Sequence, residues 1–172
     1  DAAGWLHPGD LGAFDVDGRL HLTGRKSEVF KTSTGRKIAP SAVEARLKQI
    51  AGLDHVVVFG AARKAIVALV TPALEVLDEL RDDASWRAWA RTIAERVAAV
   101  TATDNDYLRP AGLLLYRGTF TIDGGELTSN LKLRRKAIEA RHAIALDALF
   151  ARLEQGGAFC EPATGDTLMV NC

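Results

Sequence analysis

The segment from Gly124 to Lys136, GGELTSNLKLRRK, concentrates residues that could do chemistry. Four cations fall within five positions, at Lys132, Arg134, Arg135 and Lys136. We expect a flexible loop that runs into a helix, and a helix start prefers acidic side chains because its dipole end is already positive. Cations at such a place conflict with the helix dipole and are typical of a site for an external anion. A solvated basic face remains the alternative.

Two earlier segments also carry candidate residues. Residues 25–37, RKSEVFKTSTGRK, are rich in Lys and Arg, and Gly35 within them would let a ligand approach the backbone closely. An exposed basic loop is the plainer interpretation. The chain has no G-x-x-x-x-G-K-[ST] loop that would hold a triphosphate by itself. Residues 7–10, HPGD, place Asp10 in a turn, where Asp is usually only a turn former.

Hydrophobic patterning predicts the elements that position these segments. Residues 11–24 are typical of a β-hairpin that turns at Asp17-Gly18, and residues 28–39 form a second extended pair. A helix is expected from Pro40, with Ser41 and Glu44 as its capping box. Two antiparallel core strands follow at residues 54–60 and 65–70.

The second half of the chain continues this α+β pattern. A short helix after Pro72, an amphipathic helix through Trp86, a strand at residues 111–116 and a long helix from about Leu131 to Leu153 are expected. The tail after Gly156 has no periodicity and is predicted to be irregular. We therefore predict a hairpin unit followed by a sheet of roughly three strands covered by helices.

Composition excludes several classes of protein. Hydrophobic residues make up 48% and charged residues 26%, as expected of a globular protein rather than a disordered one. The 22 basic and 22 acidic residues leave no global basic field for nucleic acid or an anionic membrane. Two cysteines, no signal peptide and no apolar run near 18 residues point to a cytoplasmic protein without a metal site or a transmembrane segment.

The three segments, taken in order, resemble the last three signature motifs of the adenylate-forming (AMP-binding) superfamily. They are GWLHPGD, TGRKSEVFKTSTGRKIAPSAVEARL and GELTSNLKLRR. The variant with GRK, KTSxGxxIAP and LTxxLKLRR is similar to long-chain fatty acid–CoA ligases. The resemblance covers roughly residues 4–140. It implies the small C-terminal lid domain of an enzyme that makes an acyl-adenylate from a carboxylate and ATP, and then a thioester with coenzyme A.

The resemblance also implies a role for individual residues. Lys132 matches the catalytic lysine of the family. Asp10 and Arg25 would bind the ribose of the nucleotide. Ser27, beside Lys26, occupies the hinge position, where the family usually has Asp or Lys, and Pro8 stands where the family has Thr. The remaining assignments are a pantetheine path along Gly35, a phosphate contact by Lys37, and ion pairs or CoA phosphate contacts for Arg134, Arg135 and Lys136.

The resemblance places the family's phosphate-binding loop, adenine-binding segment and acyl pocket upstream of these motifs, and none of them is present in this sequence. They would belong to a large N-terminal domain that also binds most of the Mg²⁺. We therefore expect residues 1–24 to be the last hairpin of a large N-terminal domain, 25–155 the lid and 156–172 an irregular tail. Asp1 in place of an initiator Met suggests a piece of a longer chain. A lid that loads a carrier-protein phosphopantetheine or makes acyl-AMP only, and a non-catalytic stand-alone regulatory module, remain alternatives.

Overall fold

The computed structural model covers residues 1–172, and the chain begins with two small antiparallel ribbons. In the first, β1 (Asp10–Phe14) pairs with β2 (Leu20–Arg25). In the second, β3 (Phe30–Lys31) pairs with β4 (Lys37–Ile38). A single 3-10 turn, Lys26–Glu28, joins the two ribbons. Both predicted extended pairs are confirmed, and the first turns at Gly18, whose φ of 78° suits glycine.

The centre of the molecule is one mixed sheet. Helix α1 (Pro40–Leu47) leads into β5 (Leu53–Phe59) and β6 (Ile66–Pro72), and helices α2 (Leu74–Glu79) and α3 (Asp83–Thr101) connect β6 to β7 (Pro110–Tyr116). Helices α4 (Arg135–Arg141) and α5 (Ala143–Gln155) follow, and β8 (Cys160–Pro162) and β9 (Thr167–Asn171) end the chain. The strand order is β5-β6-β7-β9-β8, with only β6 and β7 parallel.

Both faces of this sheet are buried, which explains why its strands are continuous apolar runs. Along β6, Ala68 and Val70 point into a core formed with α1 and α3, whereas Val67 and Leu69 point into a second core formed with α4 and α5. Trp86 of α3 lies in the first core and Leu149 of α5 in the second. The predicted α+β class, with a sheet covered by helices, is therefore confirmed.

Two expectations about the extent of the sheet are wrong. The sheet has five strands rather than three, and residues 156–172 are not an irregular tail. Strand β9 pairs with β7 inside the sheet, and its residues Leu168, Met169 and Val170 are buried. A short strand buried on both faces shows no alternation, and its stability comes from pairing with a distant strand, so local periodicity could not reveal it.

The predicted long helix from Leu131 to Leu153 and the predicted capping box are also wrong. The helix begins only at Arg135 and is interrupted at His142, which separates α4 from α5. Helix α1 has no side-chain cap, because Pro40 occupies its first turn and the carboxylate of Glu44 contacts Arg135 and Val58 instead. No helix combines the length and the apolar character that a membrane span requires.

Candidate functional site

Asp10 and Arg25 are brought together by the first ribbon. They occupy paired positions at the start of β1 and the end of β2, and Arg25 Nε lies 3.0 Å from Asp10 Oδ1. The carboxylate is 28% exposed and the guanidinium side chain 59% exposed. The two residues predicted to bind the ribose are therefore neighbours and form an ion pair.

The predicted hinge residues form the 3-10 turn directly after Arg25. The backbone N–H of Lys26 donates to the carbonyl of Gly9 at 2.8 Å, which ties the turn to the segment before β1. The backbone is extended at Arg25 and again at Val29, so the turn is a short corner between two extended stretches. Such a corner can absorb a change of direction within few residues.

Gly35 and Lys37 lie on the second ribbon. Gly35 has a φ of 81° and donates its N–H to the carbonyl of Thr32 at 3.0 Å, so a tight turn explains the glycine. A Cβ added at Gly35 would lie in open space, with no atom beyond the neighbouring residues within 4 Å, so packing within this chain does not require the glycine. Lys37 is exposed on β4, opposite Lys31.

Lys132 lies on a closed turn of residues 127–133, here called the lysine hairpin. An isolated bridge joins Leu127 to Leu133. Thr128 N donates to the carbonyl of Lys132 at 2.8 Å, Leu131 N donates to the carbonyl of Thr128 at 2.8 Å, and Lys132 N donates to Thr128 Oγ1 at 3.1 Å. Leu131 adopts the left-handed conformation, with φ 56°, that this closure requires. The side chain of Lys132 is exposed.

The basic run therefore does not lie on one helix start, as the sequence suggested. Lys132 precedes the helix, Arg134 is the residue before it, and only Arg135 and Lys136 lie in its first turn. The conflict with the helix dipole is relieved by the carboxylate of Glu44. Arg135 forks onto it with Nη1–Oε1 at 2.6 Å and Nη2–Oε2 at 3.0 Å. Of the two roles open for Arg135, the structure shows the ion pair.

A buried carboxylate also lies at the other end of the lysine hairpin. Glu126 is 1% exposed, accepts a hydrogen bond from Thr121 N at 3.2 Å and forms an ion pair with Arg141. Neither Glu126 nor Glu44 was singled out by sequence as part of the site. Their partners lie 15 and 91 positions away, and no local pattern indicates such pairings.

An open groove of about 650 Å³ brings the second and third segments together. Ser27 and Glu28 of the hinge turn line one side, and Arg135 and Lys136 at the start of α4 line the other. Gly35, Lys37 and Lys132 do not line this groove. The candidate residues are thus not gathered in one closed pocket. No three or more His, Cys, Asp or Glu side chains cluster as a metal site would require.

A family model and several characterised proteins match most of this chain. Residues 28–154 match the family model described as the AMP-binding enzyme C-terminal domain. The long-chain-fatty-acid–CoA ligase FadD15 of Mycobacterium tuberculosis is 33% identical over 159 residues, which cover 86% of this chain and 26% of that protein. The long-chain-fatty-acid–CoA ligase ACSBG1 of Mus musculus is 27% identical, covering 90% of this chain and 26% of that protein. The chain thus spans about a quarter of the length of these relatives.

Two solved structures have a fold similar to that of this chain. The adenylation domain of a carboxylate reductase from Mycobacterium chelonae superposes with a TM-score of 0.74 at 26% identity, covering 88% of this chain and 24% of that one. The A-PCP didomain of carboxylic acid reductase from Segniliparus rugosus, in complex with AMP, superposes with a TM-score of 0.71 at 24% identity, covering 86% of this chain and 21% of that one. The second likeness supports the fold alone.

Proposed function

Because the chain belongs to the family of AMP-binding enzyme C-terminal domains, we propose that it is the C-terminal part of an ATP-dependent, AMP-forming fatty acid–CoA ligase. The match to long-chain-fatty-acid–CoA ligases over most of the chain supports this assignment. The observation that carries it is the exposed Lys132 on a hydrogen-bonded hairpin, within the segment LTSNLKLRR that resembles the family's last motif. The reaction takes place in the cytoplasm and uses a fatty acid or another carboxylate, ATP and CoA.

Lys132 acts in the first half-reaction. A carboxylate oxygen of the fatty acid attacks the α-phosphorus of ATP, the bond to the β-phosphate oxygen breaks, and pyrophosphate leaves. In the transition state of this step, the negative carboxylate and the phosphate oxygens are brought close together. The compact ammonium of lysine, on a long stem, can contact both groups at once and stabilise that charge.

Asp10 and Arg25 bind the ribose of the same nucleotide. One oxygen of the Asp10 carboxylate is held by Arg25 at 3.0 Å, and a carboxylate has further lone pairs that can accept from ribose hydroxyls. Arg25 lies directly before the hinge turn at Lys26 and Ser27, so the nucleotide contact and the pivot share one short segment. Mg²⁺ is bound mainly by the large domain.

Gly35 and Lys37 act in the second half-reaction. The thiol of CoA attacks the acyl carbon of the adenylate and AMP leaves. The bare backbone at Gly35 allows the pantetheine arm to pass between the two domains, and the exposed Lys37 contacts a phosphate at the same face. Rotation at the hinge turn exchanges the Lys132 face for the Gly35 face, and the location of the two candidates on separate hairpins supports this exchange.

The large N-terminal adenylation domain is the main partner of this chain. We assign residues 1–24 to the last hairpin of that domain and the remaining residues to the lid. The lid then includes β8 and β9. The exposed apolar side chains of the first ribbon, among them Phe14 and Leu22, support this division, because an isolated two-stranded ribbon needs another surface for stability.

A carrier-protein thiol is the second candidate acceptor. Two structures of similar fold are the adenylation domain of a carboxylate reductase and the A-PCP didomain of a carboxylic acid reductase, and they motivate this candidate. The test uses the enzyme in which this domain is joined to its adenylation domain, called the joined enzyme below. Supplying it with preformed acyl-adenylate distinguishes the two acceptors. The ligase assignment predicts thioester formation with CoA and none with a holo carrier protein, whereas the reverse result would establish the second candidate.

The activity itself is tested with two proteins. The joined enzyme is expected to release pyrophosphate from ATP in the presence of a long-chain fatty acid and to form the acyl-CoA. The 172-residue chain alone is expected to do neither. A joined enzyme that binds ATP and fatty acid without releasing pyrophosphate would exclude the ligase and favour a regulatory module.

A further inference from the structure

The lysine hairpin is tied to the sheet domain at both ends. An exposed turn of seven residues would ordinarily be among the mobile parts of a protein. Here the residue before it, Glu126, is 1% exposed, and Arg135, two positions after it, is 21% exposed in its side chain. The exposed Lys132 therefore sits between two anchored flanks.

The first anchor is the Glu126 carboxylate. It joins the loop after β7, through Thr121 N, to the end of α4, through Arg141. The backbone of Glu126 adds a third link, because its carbonyl accepts from Arg134 N at 2.8 Å. A Cβ at Gly124 would lie 2.3 Å from Glu126 Oε2, so the glycine makes the room that the carboxylate occupies. A buried carboxylate without such partners would be strongly unfavourable, and its partners are correspondingly held in place.

The second anchor is the Glu44 carboxylate on α1. It accepts the fork of Arg135 and also the N–H of Val58 in β5 at 2.8 Å. Arg135 Nη1 donates in addition to the carbonyl of Val58 at 3.0 Å. Three residues from three elements thus form one closed network, and a bidentate Arg–carboxylate pair defines orientation as well as distance.

We propose that Glu126 and Glu44 are positioning residues that hold the lysine hairpin rigid against the sheet. Lys132 then keeps a fixed position relative to the sheet, and its own loop does not close over a substrate. The structural part of this proposal concerns this chain alone, whereas its consequence for adenylation rests on the proposed function. Both carboxylates act through Lys132 and touch no substrate.

Amide hydrogen exchange of the 172-residue chain tests the structural part. Glu126→Ala and Glu44→Ala should speed exchange at Thr128, Leu131 and Lys132 at least about tenfold, while the strand amides of Val67, Leu69 and Leu114 change much less. Glu126→Gln and Glu44→Gln keep an oxygen that accepts the backbone N–H, and should restore part of the protection. Glu139→Ala, an exposed glutamate on α4, is the matched control and should change none of these amides.

Two results would overturn the proposal. One is a folded Glu126→Gln or Glu44→Gln protein in which the hairpin amides exchange as slowly as in the wild type, with the same result in its Ala counterpart. The other is an equal rise in the hairpin and in the central strands, which would mean that the carboxylates support only global stability.

The kinetic part uses the joined enzyme. Glu126→Gln should lower kcat for adenylation roughly tenfold with the KM for ATP nearly unchanged, because a misplaced lysine loses transition-state contacts only. A rise in KM with constant kcat would overturn the positioning role. If Lys132→Ala left adenylation intact, the proposed function would fail, and the exchange results would still decide the rigidity of the hairpin.

Discussion

The two ends of the chain both form β-hairpins, and their apolar residues have opposite environments. In the N-terminal ribbon β1–β2, Phe14 is 74% exposed and Leu22 71% exposed. In the C-terminal pair β8–β9, Leu168 is 3% exposed and Val170 3% exposed. The apolar content of a hairpin therefore does not decide its burial. What decides it is whether a strand of the main sheet is available to pair with it.

The difference shows which part of the molecule is self-sufficient. Strand β9 pairs with β7 along its length and contributes to both cores, so the C-terminal hairpin completes the domain. The N-terminal ribbon forms a separate two-stranded sheet whose apolar side chains lie in solvent. This contrast is the physical basis for the proposal that the ribbon belongs to a second domain and the C-terminal strands to the lid.

Leu168→Ala is the change with the largest expected effect on stability. It removes a buried side chain from the core beneath α3 and should lower the free energy of unfolding by about 2–5 kcal/mol. Urea denaturation of the 172-residue chain measures this. A loss near zero would mean that β9 is not part of the folded sheet and would remove the contrast between the two hairpins.

Leu22→Ala is the matched change in the N-terminal ribbon. In the 172-residue chain it should alter the free energy of unfolding by less than about 0.5 kcal/mol, because the side chain is already exposed. The same substitution in the joined enzyme should cost more, since we propose that the large domain covers this face. Equal small losses in both proteins would contradict the assignment of residues 1–24.

Acidification should destabilise the sheet domain through His142, which is buried, and His55, which is partly buried, and not through the exposed N-terminal ribbon. Burial is the main cause that lowers the pKa of His142, and the nearby Arg141 lowers it too; burial also lowers the pKa of His55. The unfolded chain takes up these protons near pH 6.5, and the folded domain takes them up only at lower pH. The unfolding free energy should therefore fall as the pH drops below about 6.5.

His142→Phe isolates one of these two groups. His142 packs against the rings of Tyr116 and Phe120, and its Nε2 has no hydrogen-bond partner, so a phenyl ring suits the site. The variant should be more stable relative to the wild type at pH 5 than at pH 7, as measured by urea denaturation at both values. An identical pH dependence in the two proteins would show that His142 does not contribute.

Most of the fold could be predicted because its signals are local. The apolar runs at β5, β6 and β7 and the helical spacing around Trp86 in α3 depend only on neighbouring residues. The strand β9 could not be predicted, since its stability depends on pairing with a distant strand. The break at His142 was also missed, because a helical pattern continues through this residue in the sequence while its backbone departs from helical geometry, with φ −103° and ψ 14°.

The candidate site also has residues that local motifs predict and residues that only long-range contacts reveal. Asp10, Arg25, Gly35 and Lys132 were found from motifs, and the structure adds their geometry while their roles remain predictions. Glu44 was interpreted as part of a capping box because it lies three residues after Ser41. Its actual partner, Arg135, is 91 positions away, and a pairing of that range leaves no trace in local spacing. Ion pairs between distant segments, such as those of Glu44 and Glu126, are therefore the part of the candidate site that sequence reasoning misses.

Acyl-adenylate formation by the joined enzyme in a single turnover, with Lys132 replaced by Ala, tests the central claim most directly. We expect adenylation to fall roughly 100- to 1,000-fold, because one contact to the transition-state charge is lost. Thioester formation from supplied acyl-adenylate should survive. Lys64→Ala, an exposed lysine in the turn between β5 and β6, is the control and should retain both half-reactions. Equal loss of both half-reactions in the Lys132→Ala enzyme, or no loss of adenylation, would contradict the account.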